Sequence, residues 1–290
     1  MTKSIVRTCA VAASFLALGF AGSSLAGPRP DPITSVFYID SYVGITNNLL
    51  SDSFAVEVED FATSGTTSAS AQFPAFPAIP FATGEARASF GVLGAAARAF
   101  GQAPVGVIFP GGYAAVAAGI FTDEYTITGG SGVASVSTTL SGVFGPEADA
   151  LMGYILLKST TPFTDLDALG DVLGDYILLG TPLPAGLEST LEVTASQSAP
   201  LADPVLTGTF TYTSGVPFYL AAGLVTFAQQ SGAADFLTTA QFGISAPAGG
   251  VLSTASGFTY AQAVPEPGTW AMLLAGLSFL GLVTGRRFKA

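Results

Sequence analysis

The sequence predicts a mainly β protein, an antiparallel β-sandwich of jelly-roll type, and three observations carry that expectation. Short runs rich in β-branched and aromatic residues show partial alternation of apolar and polar positions, as half-buried strands do. Gly and Pro, 35 and 18 of 290 residues, punctuate those runs with turn signals. Charged residues make up only 10% of the chain, where about 25% is usual. Ala, Gly, Ser and Thr take their place, and small uncharged residues suit closely stacked strands and tight turns. Many short strands with such punctuation fit stacked antiparallel sheets.

Along the chain, strands are expected around residues 36–42, 54–61, 86–92, 113–128, 133–144, 187–196, 205–213 and 218–229. The Ser, Thr, Ala and Pro run from Ser64 to Pro80 reads as a long loop. Thr128-Gly129-Gly130-Ser131-Gly132, set between Thr-rich runs, reads as a hairpin. From Asp165 to Asp175 the apolar residues recur three to four apart, which predicts a short surface helix.

Both ends read as addresses rather than as parts of that fold. Lys3 and Arg7 form a short basic region, Cys9 to Phe20 is an apolar run, and Ser24-Leu25-Ala26 supplies the small residues a signal peptidase reads. Cleavage is expected between Ala26 and Gly27, because a cut one residue later would place Pro28 directly after the scissile bond. An uncleaved anchor is disfavoured by the shortness of the apolar run. Arg7 stands without a second arginine, so the twin-arginine signal is absent, and Pro28 stands where a lipoprotein signal needs Cys.

The C-terminus reads Val264-Pro265-Glu266-Pro267-Gly268, then an apolar run from Thr269 to Gly285, then Arg286-Arg287-Phe288-Lys289-Ala290. As a helix that run rises about 25 Å, the lower edge of what spans a bilayer core of about 30 Å. Arg286, Arg287 and Lys289 are stop-transfer charges, and the positive-inside bias places them in the cytoplasm with the N-terminus exported. Pro265 and Pro267 donate no backbone hydrogen bond and hold Glu266 extended, the shape in which proteases and transpeptidases bind a chain.

Motif, span and basic end together resemble the PEP-CTERM sorting signal of Gram-negative bacteria, carried here by Val264, Pro265, Glu266, Pro267, the Leu273, Leu274, Gly276 and Leu277 pattern, and Arg286-Arg287. The resemblance implies an exosortase that cuts near Pro265 to Pro267 and sends the ectodomain to the cell surface or the exopolysaccharide matrix. The N-terminal signal implies signal peptidase as a partner, and the resemblance implies exosortase, a transient stay in the inner membrane and an association with exopolysaccharide. The plainer alternative is an unprocessed single-pass anchor whose prolines merely stop the helix. The expected organisation is a signal peptide over 1–26, a β-rich ectodomain over 27–263 and a sorting signal over 264–290.

Composition excludes much chemistry in the ectodomain. It carries four basic residues, Arg29, Arg87, Arg98 and Lys158, against nineteen acidic ones, and the resulting net charge of −15 repels nucleic acid. The chain has no His, and its one Cys, Cys9, falls in the segment expected to be removed. Ser-His-Asp and Cys-His catalysis and the usual zinc sites are thereby excluded, and no disulfide is expected.

What remains is thin. Asp165, Asp167 and Gly170 match positions 1, 3 and 6 of a calcium loop, but Leu169 and Tyr176 stand where further ligands belong, so a solvated helix face is the better reading. No cofactor is expected; calcium stays open as an alternative, with no motif to support it. Asp123, Glu124, Glu147 and Asp149 are acids that a glycoside hydrolase would need in pairs, and nothing in the spacing marks a pair. Tyr38, Tyr113, Tyr125 and Tyr212 suit stacking on sugars, although an aromatic in a strand is more often core. The expectation is an exported, non-catalytic surface or matrix protein, the alternatives being a carbohydrate-binding or carbohydrate-active module and an unprocessed membrane protein.

Overall fold

The computed structural model describes residues 37–46, 56–73, 82–100, 113–130, 132–145, 150–163, 181–202, 204–229 and 231–260, with a few positions between 169 and 177. Within them the strands in chain order are β1 (Tyr38–Thr46), β2 (Val56–Ala62), β3 (Thr66–Phe73), β4 (Ala82–Ser89), β5 (Val92–Ala99), β6 (Ala114–Thr128), β7 (Val133–Leu140), β8 (Val143–Phe144), β9 (Ala150–Ser159), β10 (Leu187–Ser196), β11 (Val205–Thr211), β12 (Phe218–Gln229), β13 (Ala233–Ser245) and β14 (Val251–Thr254). They form two seven-stranded sheets. The first runs β10-β9-β12-β6-β1-β2 with β14 added to β6, and the second runs β11-β7-β13-β5-β4-β3 with β8 added to β13. Among the described residues all pairings of named strands are antiparallel.

Alternation along the strands turns one face of each sheet inward. Ile39 and Val43 of β1, Phe121 and Tyr125 of β6, Leu93 of β5, Val136 of β7 and Phe242 of β13 join one buried cluster between the sheets. Part of this core is filled by aromatic rings, with Phe210 against Phe218 and Phe218 stacked on Tyr125. Elsewhere it is built from Ala82, Ala86, Ala88, Ala95, Ala97, Ala115 and Ala117.

Small residues there let the sheets close on one another. A Cβ on Gly119 of β6 would lie 2.7 Å from the carbonyl oxygen of Arg87 on β4, and one on Gly84 would lie 2.4 Å from Val43 Cγ1. Sheets ordinarily stack about 10 Å apart with side chains between them; at Gly119 backbone lies against backbone. The high alanine and glycine content is thus partly a packing requirement. Two buried hydroxyl pairs tie the sheets across the core, Ser41 with Thr67 at 2.8 Å and Thr138 with Tyr154 at 2.7 Å.

The first sheet is buried on its other face as well. Ile155, Leu157, Ala221, Val225 and Phe227 form a second cluster with Leu169 and Leu173. Residues 169–170 and 172–173 are helical, and Leu169 and Leu173, four apart, are both buried. A Cβ on Gly223 of β12 would lie 2.9 Å from Leu173, and one on Gly153 of β9 would lie 2.1 Å from Ile177. Glycines in the strands therefore make the seat for this segment, whose leucines are core rather than surface. Every position of β12 is buried accordingly.

Several sequence expectations need correcting. The stretch 86–92 is not one strand but the end of β4, a turn at Phe90-Gly91 and the start of β5. Most of the expected loop from Ser64 to Pro80 that is described forms β3, whose inward Thr67, Ala69 and Ala71 differ little in polarity from outward Ser68 and Ser70. The Gly129–Gly132 turn is not a hairpin, since β6 and β7 belong to different sheets. Gly129, Gly130 and Gly132 all take positive φ, near +80°, and carry the chain across the sandwich instead of back along it. The expected signal peptide, 1–26, and tail, 264–290, lie outside the described residues.

Candidate functional site

Among the described residues a well-defined polar arrangement lies where the sandwich hands the chain to its C-terminal tail. β14 pairs with the end of β6, Thr254 opposite Tyr125. Beyond it Ala255 N donates to the Glu124 carbonyl at 3.0 Å, and a turn at Gly257, φ +72°, is held by Thr254 Oγ1 donating to the Phe258 carbonyl at 2.9 Å. The chain then re-enters the core. Tyr260 packs its ring against Phe121, Tyr125, Phe242 and Phe258, and Phe258 packs on Phe90. Gly91 leaves the space: a Cβ there would lie 3.1 Å from the Tyr260 ring and 3.3 Å from that of Phe258.

Asp123, at the inward-facing position of β6 between Phe121 and Tyr125, closes this plug. It is fully buried and accepts four hydrogen bonds, from the Tyr260 hydroxyl at 2.8 Å, the Ser256 hydroxyl, Ser256 N at 3.1 Å and Glu124 N at 2.9 Å. Burial pushes its carboxyl above the usual carboxylate range, and the donors from Ser256, Tyr260 and Glu124 pull against that shift. Burial, with the Asp123 carboxylate beside it, holds the Tyr260 phenol far above its ordinary value. The hydroxyl therefore stays protonated and donates. A carboxylate in this setting is a structural acceptor rather than a proton carrier open to solvent.

The other acids that the sequence singled out do not assemble around it. Glu124 is the next residue of the same strand, so its side chain leaves from the opposite face, where burial, and after it Glu124, raises the Tyr219 phenol. Glu147, Asp149, Asp165 and Asp167 lie outside the described residues. Among the described residues no three acidic side chains converge on a cation position. Tyr38, Tyr113, Tyr125 and Tyr212 are all buried, which makes them core rather than a sugar-stacking platform.

Grooves also open elsewhere among the described residues. One, of about 340 Å³, is lined by Thr83, Glu85, Arg98 and Asp235 on the outer face of the second sheet. Another, of about 380 Å³, runs along edge strand β10 between Tyr176, Ile177, Glu192 and Thr194. Each carboxylate facing them is already engaged: Glu85 by Arg87 at 2.6 Å, Asp235 by Arg98 at 3.1 Å, and Glu192 by the Tyr176 and Ser189 hydroxyls.

Sequence reasoning reached Asp123 only as one acid among four and missed its partners, since Ser256 and Tyr260 lie 133 and 137 residues away with no local pattern to join them. The sorting residues Val264, Pro265, Glu266 and Pro267, the charges Arg286, Arg287 and Lys289, and the cleavage pair Ala26 and Gly27 lie outside the described residues. Among the described residues no helix is long and apolar enough to cross a membrane, and the expected span, 269–285, lies beyond them. Residues 263–287 match the family of the PEP-CTERM protein-sorting motif. The chain therefore carries that motif, which implies an exported protein sorted by an exosortase through a membrane-anchored precursor. No curated protein matches the chain.

Proposed function

We propose that this chain is a non-catalytic β-sandwich, delivered by its C-terminal signal to the cell surface or the exopolysaccharide matrix, where it serves as a structural component. The observation that carries the proposal is the PEP-CTERM motif over residues 263–287, placed directly after a folded domain that closes at Tyr260. In the precursor the span 269–285 holds the tail in the inner membrane, with Arg286, Arg287 and Lys289 inside and the sandwich outside. Cleavage after Ala26 frees the other end. Exosortase then cuts near Pro265 to Pro267.

A structural role agrees with the chemistry of the domain. The chain has no His, and the acids in its grooves are committed to neighbouring side chains. The test is cell fractionation of strains producing the full chain and a chain lacking residues 264–290. The full chain is expected in the surface and matrix fractions, and the shortened chain without surface retention. Equal distribution of the two would contradict a sorting role for the tail.

The β10 groove favours a second reading, a carbohydrate-binding module, because an aromatic residue, Tyr176, lines it together with the polar Glu192 and Thr194. Calorimetric titration with oligosaccharides released from the producer's own exopolysaccharide distinguishes it: heat lost on Tyr176→Ala supports binding there, and no heat leaves the structural role.

A further inference from the structure

We infer that the Asp123–Tyr260 clasp limits the reach of the sorting motif and so slows its processing. This rests on the reading that the tail is cut, and it concerns how the fold controls that cut. Tyr260 is buried among four aromatic rings and bonded to a buried carboxylate. It is therefore a fixed point of the sandwich. Only Ala261, Gln262 and Ala263 separate it from Val264. Four Cα steps reach at most about 14 Å.

That distance is short beside the domain it tethers. β6 alone has fifteen residues and is roughly 50 Å long at strand rise. An enzyme that binds an extended segment needs chain on both sides of the bond it cuts. Here the upstream side reaches the buried, bonded Tyr260 within three residues. Opening the clasp back to Thr254, the last residue of β14, lengthens the tether from four Cα steps to ten, or at most about 36 Å. The motif then has six more residues of chain free on its upstream side.

Asp123 and Tyr260 act in this inference as positioning residues, through the path they impose on residues 255–260. The test is pulse-chase processing of the full-length chain in a host with exosortase, the loss of the tail read by mass. One variant carries six Gly and Ser residues inserted between Gln262 and Ala263, which lengthens the tether and leaves the clasp and the motif untouched. A second is Tyr260→Phe, which keeps the ring and removes its bond to Asp123.

The insertion is expected to raise the processing rate several-fold, and Tyr260→Phe to raise it in the same direction. An insertion variant processed at the wild-type rate or more slowly overturns the inference, while wild-type processing leaves the sorting reading intact. Faster processing of Tyr260→Phe with an indifferent insertion also overturns it, because general loosening of the sandwich would then be the cause. A wild-type chain that keeps Ala290 in this host removes the reading beneath and the inference with it.

Discussion

Tyr260→Phe probes the junction on which the tail depends, and its cost follows from the structure. The ring keeps its contacts with Phe121, Tyr125, Phe242 and Phe258, so the change deletes one hydroxyl donor to a buried carboxylate. A hydrogen bond to a charged group contributes about 1.5–3 kcal/mol, against about 0.5–1.5 kcal/mol for a neutral pair. Three donors remain on Asp123, two from Ser256 and one from Glu124 N, so the carboxylate is weakened rather than orphaned.

The pH dependence gives a second handle. Burial raises the Asp123 carboxyl above its value in the unfolded chain, about 3.9. The stability this contributes is complete below the unfolded value and is lost as pH rises through the folded one. Removing the Tyr260 donor raises the folded value further. The variant is thus expected to lose about 1.5–3 kcal/mol at neutral pH and about 0.5–1.5 kcal/mol where Asp123 is protonated in both proteins. Urea unfolding of the two purified proteins across the acid range, followed by tyrosine fluorescence, measures this. A gap that does not narrow as pH falls would refute the assignment of the Tyr260 hydroxyl to an ionised Asp123.

Three further outcomes are expected by the same assay. Gly119→Ala drives a methyl group to 2.7 Å from the Arg87 carbonyl oxygen, a backbone atom of the facing sheet, and such overpacking costs about 1–3 kcal/mol; an unchanged midpoint would show that the sheets are not in backbone contact. Leu173→Ala empties the seat over Gly223 and is expected to cost about 2–5 kcal/mol, whereas a change below about 0.5 kcal/mol would place that segment at the surface. Glu188→Gln removes the partner of Lys158 at 3.0 Å, but Glu188 is 68% exposed, so the loss should stay below about 1 kcal/mol. A larger loss would mean that Lys158, which also lies over the Phe210 ring at 5.8 Å, depends on the pair for its burial.

Legibility in the sequence followed contrast between neighbouring residues. β10 and β12 begin and end where the pattern places them, because turn signals flank them. β6 differs by one residue at its start. β9 was missed, since Ala150–Ser159 is nearly all apolar and buried on both faces, and a short run without alternation does not distinguish strand from helix. β3 was missed for the opposite reason, its alternation being written in Thr, Ser and Ala. β13 hides its period behind an irregularity between Phe236 and Ala240.

The two ends of function separated in the same way. The tail was readable because Pro265, Glu266, Pro267, the apolar run and Arg286-Arg287 stand together within 23 residues of the chain. The clasp was not, because Asp123, Ser256 and Tyr260 meet only after the strands between them have folded. Local sequence carries addresses. Contacts across more than a hundred residues must be read from the fold.

The measurement that bears most directly on the central claim is the intact mass of the mature protein, purified from a host containing exosortase and from the same host without it. Loss of residues 1–26 in both hosts, with truncation near Pro265 to Pro267 only where exosortase is present, is the expected result. A mature chain ending at Ala290 in both hosts would contradict it and leave a single-pass membrane protein.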